Sequence, residues 1–271
     1  MADDNLADFE AMDFTHDGRT RMVYRAGTGP AVIVIAEMPG ITPKVAAFAR
    51  RIVDTGCTAV MPHLFGVPGR DPLAAGRLGA VRYTLSSFVP ACVSREFTLW
   101  ATSRTSPVVS WLRALAAHEH TRCGGPGVGA IGMCFTGGFA LAMATHPSLV
   151  APVLAEPSLP FPVTKAKKGS IDCSAADLEV VKGRCAAEGL QVLGLRFKGD
   201  SFSPGQRFQF LRDQLGDAFV AVELDDSTAN PEGMMKPHSV LTEHLIDEPG
   251  QPTRAALDQV LELFRTRLLP A

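Results

Sequence analysis

The 271-residue chain has no run of Lys or Arg, no CxxC pair, no internal repeat and no apolar stretch long enough to span a bilayer. With a formal net charge of −2 and scattered basic residues, it lacks the electrostatic footprint of a protein that binds nucleic acid or an anionic membrane surface. The segment MADDNLADFE is acidic and has no apolar core, so we expect no secretory signal and a cytoplasmic protein. Cysteine is too sparse for a disulfide scaffold. Six residues, at 57, 92, 123, 134, 173 and 185, read as reduced thiols in a chain of this length, and Cys57, inside an apolar strand pattern, reads as a small buried hydrophobe. His118 and His120 lie near a helix C-terminus rather than at ligand spacing and read as helix-end cations, so neither a metal nor another cofactor is expected.

What is present is a substantial core and a regular rhythm. The hydrophobic fraction is 46% and the charged fraction 20%, which suits a packed domain of enzyme size. Short β-branched runs alternate with longer helical patterns, the signature of a mostly parallel sheet with helices on both faces. The predicted strands are 31–35, 58–61, 128–131, 149–154, 192–197 and 219–224. The predicted helices are 45–53, 106–115, 138–145, 204–215 and 253–268. A continuous apolar run such as Ala31 to Ile35 is what a strand buried on both faces requires. We expect one domain over 1–271, with two excursions above the sheet, 65–104 and 157–187, where Pro, Gly and polar residues break the periodicity. The second holds a candidate helix, 175–187, and is either a moving lid or a solvated insertion.

Chemistry concentrates in Gly129-Ala-Ile-Gly-Met-Cys134-Phe-Thr-Gly-Gly138. A strand ends, one residue separates Gly132 from Cys134, and a helix begins, which is the layout of a nucleophile elbow. Small neighbours let the chain pass close by while the turn aims the thiol away from the sheet. The helix N-terminus then favours a thiolate and a developing oxyanion. Thr136 departs from the pattern, since the glycines come one place later. A buried thiol at a glycine-rich packing point is the alternative reading of Cys134.

Asp200 follows the strand 192–197 and His238 follows the strand 219–224 by a loop, so both belong to the rim where parallel strands deliver side chains. The order nucleophile, acid, histidine is that of the α/β-hydrolases. Asp200 also suits a turn or the cap of the helix near Pro204, and His244 competes with His238 for the role of base.

Four motifs in this order, Val32-Ile-Val-Ile-Ala-Glu37-Met-Pro-Gly40, Gly132-Met-Cys134, Gly199-Asp200-Ser-Phe-Ser-Pro204 and Pro237-His238-Ser239, resemble the dienelactone hydrolases, also called carboxymethylenebutenolidases. The resemblance spans most of the chain and implies an α/β-hydrolase fold. It implies a carboxylic ester hydrolase that cleaves a small ester or lactone through a Cys134, His238, Asp200 triad. It adds Glu37 as a fourth catalytic residue that helps to activate the thiol, and the backbone N–H groups of Met38 and Phe135 as oxyanion hole. From the residues alone, Glu37 is a polar cap on a buried strand, costly there unless it has partners.

Family members hold a substrate carboxylate with two arginines. Arg95 is the candidate for the first, with Arg82 and Arg104 as competitors. The position of the second, four residues after His238, is Thr242, and losing that charge-assisted contact weakens recognition of an anionic lactone. The expected partner is a small-molecule ester or lactone, and the expected assembly a monomer or small homo-oligomer. Two other readings stay open: a non-catalytic α/β-hydrolase-fold ligand-binding protein, and a thioesterase or acyl transferase.

Overall fold

The computed structural model describes residues 2–98 and 100–270; the side chain of Cys92 lies outside what is described. Eight strands form one sheet: β1 Glu10–His16, β2 Arg19–Ala26, β3 Ala31–Ile35, β4 Thr58–Pro62, β5 Val128–Met133, β6 Leu149–Ala155, β7 Val192–Phe197 and β8 Phe219–Leu224. Their order is β1-β2-β4-β3-β5-β6-β7-β8. The β1/β2 and β2/β4 pairs are antiparallel and all others parallel.

The helices are α1 Pro43–Asp54, α2 Gly76–Val93, α3 Val108–Cys123, α4 Phe139–Met143, α5 Lys165–Lys168, α6 Ala175–Glu188, α7 Gly205–Leu215 and α8 Pro252–Leu268. All five residues of β3 are fully buried. Their side chains alternate between faces: Val32 and Val34 join the core under α1 and α8, with Phe48, Leu257 and Phe264. Ile33 and Ile35 join the opposite core under α3, α4 and α7, with Leu112, Phe139 and Phe208. Each such aliphatic side chain stabilises the fold by roughly 1.5–3 kcal/mol when fully buried. That two-faced burial is why the strand reads as an unbroken apolar run. Helix α1 starts at Thr42, whose side chain accepts the Val45 N–H at 3.3 Å with Pro43 in the first turn. It ends before Gly56, which takes φ +95°.

Three features differ from the sequence pattern. The β1–β2 hairpin was not expected, although Asp17-Gly18, with φ of +49° and +71°, is the turn dipeptide that suits a two-residue hairpin. The excursion 65–104 contains the 18-residue α2, whose glycines and Pro90 dilute the helical pattern. Helix α3 begins at Val108 and runs on to Cys123, beyond the expected 106–115.

The excursion 157–187 is held from below. The fully buried guanidinium of Arg207 on α7 donates to the carbonyls of Pro157 (2.5 Å), Pro160 (2.6 Å), Lys167 (3.1 Å), Ser170 (2.7 Å) and Phe202 (3.3 Å). Ser106 joins the two excursions: it donates to Asp172 Oδ2 at 2.5 Å and accepts the Thr98 N–H at 2.9 Å.

Candidate active site

The sheet register brings the site together. Ile35 and Gly132 are partners across β3 and β5, so Glu37 and Cys134, each two residues further on, leave adjacent strands at the same level. Met133 pairs with Ala155 and Ala155 with Leu195, which places the residues after β6 and β7 on the same rim.

Cys134 takes φ +51°, a left-handed conformation that costs a non-glycine residue of order 1–3 kcal/mol and that surrounding structure must impose. The constraint is visible. A Cβ on Gly132 would come within 2.1 Å of the Thr136 carbonyl, and one on Gly137 within 2.4 Å of Pro157 Cα. Thr136, the apparent irregularity, is a buried tie: its hydroxyl donates to the Ile35 carbonyl at 2.8 Å and accepts the Met133 N–H at 3.0 Å. A glycine there would lose the bond between the elbow and β3.

The Cys134 sulfur is partly exposed in a cavity of about 650 Å³. It accepts from the Ser158 hydroxyl at 3.7 Å. Burial pushes the thiols of Cys57, Cys123, Cys173 and Cys185 up, making them poor nucleophiles at neutral pH.

His238 lines the same cavity and is buried. Its Nδ1 lies 2.6 Å from Asp200 Oδ2, and its Nε2 has no hydrogen-bond partner among the described residues. Burial disfavours the imidazolium, but the neighbouring Cys134 sulfur and Asp200 carboxylate outweigh it, and the proton affinity of His238 rises well above the ordinary histidine value. Asp200 fills both roles read from the sequence, since its other oxygen accepts the Phe202 N–H at 2.8 Å in the turn before α7. His244 is engaged otherwise: its Nε2 donates to the Met235 carbonyl at 3.1 Å and its Nδ1 accepts the His238 N–H at 3.3 Å. It braces the His238 loop and is absent from the residues that line the cavity.

Glu37 is buried at the cavity wall. One carboxylate oxygen accepts from the Ser239 hydroxyl and the other from Thr242. Met38 and Phe135 line the cavity beside Cys134. Arg95 lies exposed in the turn after α2, and Arg82 and Arg104 are exposed as well. None of the three is among the cavity-lining residues.

Glu156, directly after β6, was not singled out in the sequence. It is 1% exposed, takes φ +37°, and accepts the Val240 N–H at 3.2 Å. Burial drives its carboxyl well above the usual carboxylate range; nearby His238 opposes the shift and Glu37 adds to it. The signal available was a carboxylate directly after a buried strand, costly there unless it has partners. Among the described residues, no cluster of three or more His, Cys, Asp or Glu side chains converges as metal ligands would.

A mostly parallel sheet flanked by helices, with a strained elbow after β5 and an Asp and a His on later strand-end loops, defines an α/β-hydrolase. The model of the dienelactone hydrolase family matches residues 19–175, more than half of the chain. The protein belongs to that family and is a carboxylic ester hydrolase of ester or lactone type. Solved structures with this fold include a putative dienelactone hydrolase from Klebsiella pneumoniae subsp. pneumoniae MGH 78578, at 18% identity, TM-score 0.54 and coverage of 94% of this chain and 98% of that one. The dienelactone hydrolase from Anabaena variabilis ATCC 29413 matches at 15% identity, TM-score 0.59 and coverage of 96% and 98%. A thioesterase domain from the curacin biosynthetic pathway matches at 11% identity, TM-score 0.52 and coverage of 94% and 99%. At these identities the likeness is one of fold. No functionally curated protein is significantly similar to the chain.

Proposed function

We propose that the protein hydrolyses a small ester or lactone through a covalent thioester on Cys134, with His238 as base and acid, Asp200 as its orienting carboxylate and Glu37 assisting activation of the thiol. The observation that carries this reading is the His238 Nδ1 to Asp200 contact of 2.6 Å, which leaves Nε2 free to serve the cavity that Cys134 lines.

Attack by the Cys134 sulfur on the carbonyl carbon forms a C–S bond while His238 Nε2 holds the thiol proton. The carbonyl oxygen takes the electron pair and is met by the N–H groups of Met38 and Phe135. When the tetrahedral intermediate collapses, the C–O bond breaks and the leaving oxygen receives the proton from His238. Water, deprotonated by the same nitrogen, then attacks the thioester, and breaking the C–S bond releases the acid and restores the thiol. A thioester is readily reversed by a free alkoxide, so enol and phenol leaving groups suit this site better than alkyl alcohols.

The test is turnover of an activated aryl ester by wild type and Cys134→Ala, together with mass-spectrometric mapping of iodoacetamide labelling. Loss of turnover in the variant, with Cys134 alkylated ahead of Cys57, Cys123, Cys173 and Cys185, supports the reading. Equal turnover in both proteins removes Cys134 from the mechanism.

A further inference from the structure

The wall of the Cys134 cavity is largely apolar, and the cations on it among the described side chains, Lys44 and His238, each stand beside a carboxylate. Leu73, Leu85, Phe88, Phe161, Met234 and Met235 supply the apolar surface. The carboxylates of Glu37, Glu232 and Glu243 also line it, against the ammonium of Lys44 and the ring of His238, which Asp200 holds at 2.6 Å, among the described side chains. The ammonium lies 2.8 Å from Glu243, so its charge is already offset. No described arginine lines the cavity, and at position 242 a threonine hydroxyl satisfies Glu37 where a guanidinium would also have supplied positive charge.

The apolar surface continues outward along α2. Leu78, Val81, Leu85 and Val89 are each more than half exposed and recur at helical spacing on one face. Leu85 belongs to both this stripe and the cavity wall.

From this we infer that the substrate is an uncharged ester whose acyl and leaving groups are both apolar, and that a carboxylate on the substrate is excluded rather than recognised. The inference rests on the ester-hydrolase reading above and adds the substrate class. Two costs act against an anionic substrate. Its carboxylate loses hydration on entering an apolar cavity whose described cations, Lys44 and His238, already face carboxylates, and it adds like charge to a wall that carries Glu37 and Glu232. An apolar acyl chain loses nothing and gains the burial of its methylenes.

The experiment compares p-nitrophenyl butyrate with mono-p-nitrophenyl succinate, which carries a carboxylate where the butyrate has a terminal methyl. We expect kcat/KM for the neutral ester to exceed that for the anionic one by at least about tenfold, the size of effect a single uncompensated charge contact produces. In Glu232→Lys, which reverses one wall charge, the ratio narrows through a gain on the succinate. In parallel, the stable anilides N-(4-nitrophenyl)butanamide and N-(4-nitrophenyl)succinamic acid are tested for protection of Cys134 from iodoacetamide; the neutral anilide protects at lower concentration. Equal or better use of the succinate, or equal protection by the two anilides, overturns the substrate class while leaving the hydrolase reading intact. If neither ester is turned over but only the neutral anilide protects Cys134, the hydrolase reading fails and the cavity preference stands.

Discussion

The Thr242 hydroxyl donates to one oxygen of the Glu37 carboxylate while Ser239, three residues earlier, donates to the other. Both donors come from the loop that carries His238, so two acidic side chains, Asp200 and Glu37, converge on a single loop. Two neutral hydroxyls satisfy this carboxylate and bring no positive charge to the cavity wall, as a guanidinium would have done.

Removing that hydroxyl while keeping the shape tests its role. Thr242→Val leaves a buried carboxylate oxygen without a donor, which costs about 1–3 kcal/mol, and we expect kcat/KM to fall about tenfold, whereas Thr242→Ser retains activity. Steady-state kinetics on an activated aryl ester checks this. Equal rates in wild type and the valine variant would show that Glu37 is held well enough by Ser239.

Asp200→Asn removes the charge that steadies the His238 imidazolium and allows the wrong tautomer. We expect a loss of about 2–5 kcal/mol in transition-state stabilisation, read as kcat/KM, with little change in thermal stability because the amide oxygen can still accept the Phe202 N–H. Unchanged kinetics would reduce Asp200 to its turn contact.

The buried carboxyls set the pH dependence of stability. Burial raises Asp172 to about 7, with its Ser106 hydrogen bonds and Arg207 opposing the shift, and raises Glu156 well above the usual range. Folded values above unfolded ones mean that the folded state binds more protons. The contribution is therefore fully present below about pH 4 and, for Asp172, is lost as pH rises through about 7, at up to about 1.4 kcal/mol per pH unit. Denaturant midpoints should fall between pH 5 and 8, and Asp172→Asn should flatten part of that slope. A flat wild-type profile would show that these groups are ionised at no cost.

Arg207 links α7 to the segment above the sheet. Arg207→Met leaves its carbonyl partners unsatisfied in the interior, and we expect a loss of about 3–5 kcal/mol. Hydrogen exchange should quicken across 157–170 in the variant, while in wild type it stays slow whether or not a cavity ligand is present. Fast wild-type exchange that slows on adding the stable anilide would identify a closing lid.

Much of this protein follows from residue order alone. The unbroken apolar runs of β3 and β5 report burial on both faces, because alternate side chains of one strand serve two cores. Gly132 and Cys134 announce the elbow, because only a minimal neighbour admits the Thr136 carbonyl at that distance. The hairpin β1–β2 and helix α2 were missed, the first through an unread Asp-Gly turn and the second because glycine, serine and Pro90 blur its period. Tertiary packing decided the rest. Which histidine faces the thiol, that Asp200 both caps a turn and pairs with His238, that Glu156 is buried beside them, and that Arg95 stays on the surface all depend on contacts between residues 38 to 205 positions apart. Such distances in sequence carry no local pattern; only the register of β3, β5, β6 and β7 converts them into neighbours.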